Sequence, residues 1–268
     1  MQMPKVPLPF YFGAADQPLF GCYHQPEAGR GRRCAVVICQ PIGHEYINCH
    51  RALRQVAVRL CEAGFPVLRF DYYGCGDSYG DSRAGTIPLW LQDISTALDE
   101  VKRRSKLDTL CIVGLRFGGA LSAMTGARRG DIESMVLWDP VGDGKSYLQE
   151  LSLLQKEQMR FRPKPRRTKV SQEVVEILGF PFTRELYGQM EHVSLGAITS
   201  PPAKNMLVIQ SRSSDKHPDN DLFDSSQVQL ERRMLEIPQI WLPTENGSLL
   251  VPGQAVQSIV SWTGRMYS

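Results

Sequence analysis

A chain of 268 residues with 42% hydrophobic and 22% charged side chains is long enough for one large soluble domain or two small ones, and its net charge of +3 is too small to mark a nucleic-acid partner. No apolar run is long enough to span a bilayer, and the proline-interrupted start "MQMPKVPLPFYFG" lacks the apolar stretch of a secretory signal. Seven cysteines, an odd number scattered along the chain, read as reduced thiols in a cytoplasm rather than as a disulfide framework.

In chain order, "YFGAADQPLFGCYHQP" reads as an antiparallel hairpin. Cys34–Cys39 is an apolar run without alternation, as expected of a strand buried on both faces of a parallel sheet. Leu53, Val56, Ala57, Leu60 and Cys61 then form a helical stripe that stops at Gly64, a usual place for a left-handed cap. Pro66–Phe70 is the next buried strand. Thr86 reads as the N-cap of a second helix, with Pro88 in its first turn and Leu91, Ile94, Leu98 and Val101 as its stripe. Leu110–Val113 leads into a third helix from about Phe117 to Arg129, and Met135–Trp138 follows as a strand.

After "LWDPVGDG" the alternation breaks for roughly sixty residues, far beyond a usual connection. This stretch holds two helical patterns, "SYLQELSLLQKEQ" and "QEVVEILG". Between them runs Arg160–Lys169, with six basic residues and no acidic one. Two more buried strands, Met206–Ile209 and Ile240–Leu242, and a helix from about Pro252 to Trp262 close the chain. The alternation predicts an α/β fold with a doubly wound, mostly parallel sheet. Residues 1–141 and 201–268 form its core, and residues 142–200 a helical cap inserted over the carboxyl edge of the strands.

"VGLRFGGA", residues 113–120, is a strand, a sharp turn and a helix start, with the glycine spacing of a G-x-S-x-G nucleophile elbow. The serine's place is taken by Arg116. "CQPIGHEY" at 39–46, "RFDYYGCGDS" at 69–78 and "LWDP" at 137–140 supply further landmarks in the same order. With these motifs the chain resembles the α/β-hydrolase superfamily over nearly its whole length. It is similar, more narrowly, to the serine-aminopeptidase-like hydrolases of exosortase A systems and other bacterial biosynthetic clusters.

The resemblance implies an α/β-hydrolase fold, an oxyanion loop at Ile42 facing the N–H of Phe117, and an acid after the penultimate strand, where Asp215 stands. It also implies a histidine after the last strand. That loop reads "WLPTENGSLLVPG" and holds none, with Glu245 and Asn246 the nearest equivalents. Arginine, with a pKa above about 12 and no lone pair to offer, is neither nucleophile nor base. Ser122, six residues on, lies more than a helical turn away. A guanidinium beside a helix N-terminus suits an anion instead, and once buried it needs a counter-charge, for which Asp139, Asp215 and Asp71 are the candidates. Asp71 and Asp77 also suit a purely structural turn. His44 either lines the pocket, as a base, or lies on a surface loop. His50 and His192 read as helix residues, and Cys75 as an inert turn thiol without a base. No Cys/His cluster has metal spacing, and no cofactor is implied.

Three functional readings follow. The first is a non-classical enzyme on an acyl, thioester or carboxylate-bearing metabolite, with Arg116 anchoring the anion and Asp139, Asp215 or His44 handling protons. The second is a pseudoenzyme that binds a partner or an acylated carrier. The third is a hydrolase whose nucleophile has moved, to Cys75 for example. The substrate would be a small acyl or carboxylate molecule, free or carried on coenzyme A or a carrier protein, whose phosphates the basic run would suit. A homodimer is compatible with the chain.

Overall fold

The computed structural model describes residues 6–160, 174–212, 228–244 and 246–268. Its frame is an eight-stranded sheet of β1 (Leu8–Phe12), β2 (Leu19–His24), β3 (Ala35–Cys39), β4 (Val67–Phe70), β5 (Leu110–Leu115), β6 (Ser134–Trp138), β9 (Asn205–Ser211) and β10 (Gln229–Leu235). Their spatial order is β1-β2-β4-β3-β5-β6-β9-β10. β2 runs antiparallel to both β1 and β4, so "YFGAADQPLFGCYHQP" is the hairpin its sequence suggests, and every other pairing is parallel.

The central strands carry unbroken apolar runs because both of their faces are covered. Every residue of β3, β5 and β6 is buried. On one face lie α2 (Ile87–Ser105) and α3 (Phe117–Arg129), packing Leu91, Ile94, Leu98 and Leu121 against Val37, Ile112 and Leu137. On the other lie α1 (His44–Glu62) and α6 (Gly253–Met266), packing Leu53, Val56, Ile259 and Trp262 against Val36, Val113 and Val136. The helix ends obey local chemistry. The Thr86 side chain caps α2 by accepting from Leu89 N–H at 3.4 Å, and Gly64 takes a left-handed φ of 97° just past α1.

Two sequence expectations are overturned. Ile240–Leu242 is a turn, not a strand, and the last strand is β10, whose Glu231, Arg232 and Arg233 hid it. An edge strand has one side free of neighbours and tolerates charge that a central strand does not. The second concerns "QEVVEILG". Its residues 174–177 form β7 (Val174–Ile177), paired antiparallel with β8 (Phe180–Thr183), while residues 172 and 173 lie outside the described chain. The two strands are joined at Leu178 and Gly179, whose φ values of 52° and 85° are those of a tight hairpin turn. Three β-branched residues in four favour a strand over a helix. The segment between β6 and β9 thus holds α4 (Gly144–Met159), the hairpin, and α5 (Arg184–Glu191). α4 is started by the Asp143 carboxylate accepting from Ser146 N–H at 2.8 Å.

Candidate functional site

β5 passes into α3 through one residue, Arg116, held at φ 53° and ψ −123°. Its backbone is secured on both sides. The N–H donates to the Trp138 carbonyl at 3.0 Å, and the carbonyl accepts from Gly119, Ala120 and Val141 at 2.9, 3.3 and 3.2 Å. Gly118 allows the turn to close. A Cβ there would fall 2.3 Å from the Gln40 carbonyl oxygen and 2.6 Å from that of Cys39, so only glycine lets α3 press against this loop. The same contact brings the first turn of α3, with Phe117, against the loop that carries Ile42. Both residues are buried. The N–H of Phe117, in the first turn of the helix, has no intrahelical acceptor.

The Arg116 side chain turns inward and is 9% exposed. Its Nε donates to Glu45 Oε1 at 3.0 Å and its Nη2 to Glu150 Oε1 at 2.9 Å. Glu45 sits in the first turn of α1. Its second oxygen accepts from the Tyr147 hydroxyl at 3.1 Å. Tyr147 and Glu150 lie three apart on α4 and so share one face of that helix. The Trp241 indole N–H donates to Glu150 Oε1 at 3.4 Å, and its ring lies 4.3 Å from the guanidinium carbon. Phe117 stacks on Tyr147 with centroids 5.5 Å apart. Four parts of the chain therefore meet at one guanidinium: α1, the elbow, α4 and the turn carrying Trp241.

The charges answer to this geometry. Burial works against the Arg116 cation, but Glu45 and Glu150 hold its pKa above the ordinary value. Burial pushes Glu45 up to about 7, against the pull of Arg116. His44 is pushed down to about 4 by burial and by the Arg116 charge, so it is neutral at pH 7, and its buried Nε2 has no hydrogen-bond partner.

Of the expected counter-charges, Asp139 and Asp71 lie among the described residues, and both hydrogen-bond to other groups. Asp139, at φ 43° just past β6, accepts from Ser211 N–H at 2.7 Å and from Ser211 Oγ at 2.5 Å. Burial raises its pKa, while these bonds and the Arg116 charge oppose the rise. Asp71 accepts from Gln40 Nε2 at 2.8 Å, Tyr46 OH at 3.3 Å and Asp77 N–H at 3.0 Å, which makes it the tie of its own turn. Asp215 and Glu245 lie outside the described residues, as does the basic run beyond Arg160. Asn246 is exposed, and its Oδ1 is occupied by Ser248 within its own loop.

His44, like Asp139, feels the Arg116 charge, and it is half-buried rather than a surface side chain. His50 and His192 are exposed, each with Nδ1 at 2.7 Å from a carbonyl of its own helix. Burial lifts the Cys75 thiol to about 12, helped by Asp71 and Asp93, which leaves almost no thiolate at neutral pH. Among the described residues no three His, Cys, Asp or Glu side chains converge as metal ligands. Also among them, no helix is long and apolar enough to cross a membrane. Glu45, Tyr147, Glu150 and Trp241 are the residues that sequence reasoning missed. Only the Tyr147–Glu150 spacing, which puts an acid and a phenol on one helix face, hints at them.

Set beside known proteins, residues 33–207 match the family model of serine aminopeptidase, S33. Est1E from Butyrivibrio proteoclasticus, solved with ferulic acid, superposes with a TM-score of 0.65 at 15% identity, over 96% of this chain and 97% of Est1E. The alpha/beta hydrolase domain-containing protein 10 from mouse gives 0.62 at 11% identity, over 97% and 99%. XC6422 from Xanthomonas campestris, an a/b serine hydrolase without lid, gives 0.59 at 16% identity, over 97% and 96%. No curated protein matches the chain. At such identities the structural likeness carries the α/β-hydrolase fold and nothing finer.

Proposed function

Because this chain belongs to the serine aminopeptidase S33 family, we propose that Arg116 stands where its relatives carry the attacking serine, and that the protein is a non-hydrolytic, ligand-binding member of the family. The observation that carries this reading is the pairing of the buried Arg116 with Glu45 and Glu150. A triad needs a nucleophile that can lose a proton and a base to take it. Arg116 meets neither need. The loop after β10 offers no histidine, and neutral His44, with its pKa near 4, is too weak a base at pH 7 to activate a hydroxyl.

The enzymatic reading asks for an open guanidinium with Asp139, Asp215 or His44 to move protons. The ion pairs on Arg116 and the Ser211 bonds on Asp139 weigh against it. The high thiol pKa of Cys75 weighs against a relocated nucleophile. The described part of residues 142–200 acts in this proposal as the cap over the site, since α4 supplies both Tyr147 and Glu150. The ligand is a small acyl or carboxylate molecule, and a supporting role beside a biosynthetic pathway, as the motif resemblance implies, suits a binder. A fluorophosphonate probe and a panel of short p-nitrophenyl esters test the reading. The wild-type protein is expected to take no label and to hydrolyse no ester above the rate of buffer, and a stoichiometric adduct on any serine or cysteine overturns the proposal.

A further inference from the structure

The two carboxylates on Arg116 are not equivalent. Glu45 belongs to α1 of the core, and its side chain is 0% exposed. Glu150 belongs to α4 of the inserted segment, and its side chain is 28% exposed although the Arg116 side chain it pairs with is only 9% exposed. Glu45 is therefore a permanent part of the wall, and Glu150 reaches in from the solvent side. The groups around Glu150 are those of a carboxylate receptor: the Arg116 Nη2 and the Trp241 indole N–H both donate to its Oε1. The aromatic faces of Trp241 and Tyr147, 4.3 and 5.4 Å from the guanidinium carbon, give that receptor apolar sides. Near it lies the His44 Nε2, buried and without a hydrogen-bond partner.

We infer that Glu150 is a built-in placeholder in a carboxylate-binding site, and that the ligand of this protein is a small organic carboxylate whose acid group displaces Glu150 from Arg116 and Trp241. The inference rests on the binding reading above and names its ligand class. The exchange is one carboxylate for another, so no charge is left uncompensated in the interior, which a neutral ligand would not achieve. It also frees α4 from its ionic tie to the elbow, so that occupancy of the site is coupled to the docking of the inserted segment. A carboxylate on the same chain competes at an effective concentration on the order of millimolar or more, which makes the wild-type protein a weak binder of simple acids.

The test is chemical rescue of the placeholder. Thermal melting of wild-type protein, Glu150→Ala, Glu150→Gln and the double variant Arg116→Gln/Glu150→Ala is followed against sodium acetate and sodium propionate, with sodium chloride at equal ionic strength as the reference. Glu150→Ala is expected to gain stability saturably from either carboxylate, with a midpoint at least about tenfold lower than wild type. Glu150→Gln, which keeps the space filled, and the double variant should respond to acetate no more than to chloride. Equal responses of Glu150→Ala to acetate and chloride, or rescue of the double variant, overturn the inference. Should Glu150→Ala not fold, hydrogen exchange in wild-type protein decides. Saturating propionate must speed exchange of the amides of α4 relative to chloride, and unchanged exchange overturns the inference. The esterase probe is blind to this displacement, so indifference to carboxylates without labelling removes the placeholder and leaves the non-hydrolytic reading standing.

Discussion

Residues 40–46 serve two buried charges at once, and they serve them differently. Gln40 and Tyr46 turn to Asp71, whose three donors are an amide, a phenol and the Asp77 N–H, all neutral and all within residues 40–77. Glu45 turns to Arg116, and His44 lies under the influence of that charge. There the partners are ionic and come from positions 71 and 34 residues away in sequence. The first arrangement closes a turn inside the core. The second ties the core to the inserted segment. Neutral donors can be removed with a modest penalty, whereas a buried charge deprived of its opposite is left in a medium that cannot solvate it.

The contrast fixes an order of effects. Arg116→Ala leaves Glu45 fully buried without a cation and is expected to cost about 3–5 kcal/mol in denaturant unfolding, as breaking one side of a buried pair does. A loss below about 1 kcal/mol would mean that Glu45 takes up a proton once its cation is removed. Asp71→Ala strands three donors and is expected to cost about 1–3 kcal/mol by the same assay. If it proves the more damaging of the two, the distinction between local neutral and long-range ionic ties fails. A third effect is one of pH. Glu45 sits near 7 in the fold against an ordinary value of 4.5, so the folded state holds its proton more tightly than the unfolded chain. Its contribution is complete below pH 4.5 and is lost as pH rises through 7. Measured as a difference between wild type and Glu45→Gln, stability should fall across that window, by no more than about 1.4 kcal/mol per pH unit. A flat or rising difference contradicts the buried-acid description.

The sheet was readable where burial on both faces wrote unbroken apolar runs, as at Ala35–Cys39 and Leu110–Leu115, and where a cap residue such as Thr86 announced a helix. Reading failed where a residue's setting is decided by distant packing. Glu231, Arg232 and Arg233 sit in an edge strand that sequence pattern alone assigns to a loop. Ile240, Trp241 and Leu242 are apolar because a turn is buried, not because they lie in a sheet. In "QEVVEILG" the apolar spacing mimics a helix, while the β-branched residues of Val174–Ile177 and the positive φ of Leu178 and Gly179 make residues 174–179 part of a hairpin. The site follows the same rule. Arg116 stands out because it breaks a local motif. Glu45 and Glu150 look like any acid on a helix surface, and nothing in their own neighbourhoods says that both point at one guanidinium.

The backbone of residue 116 owes nothing to its side chain. Four main-chain hydrogen bonds and the tight seat of Gly118 hold the turn, and none of them involves the guanidinium. The elbow is thus a socket whose shape outlasts its contents. A change at this position swaps the chemistry on offer without redrawing the surface around it, so a serine introduced there would sit in a correctly bent turn. A fold of this kind can lose one vocation and take up another through its side chains alone, with the scaffold left unrevised.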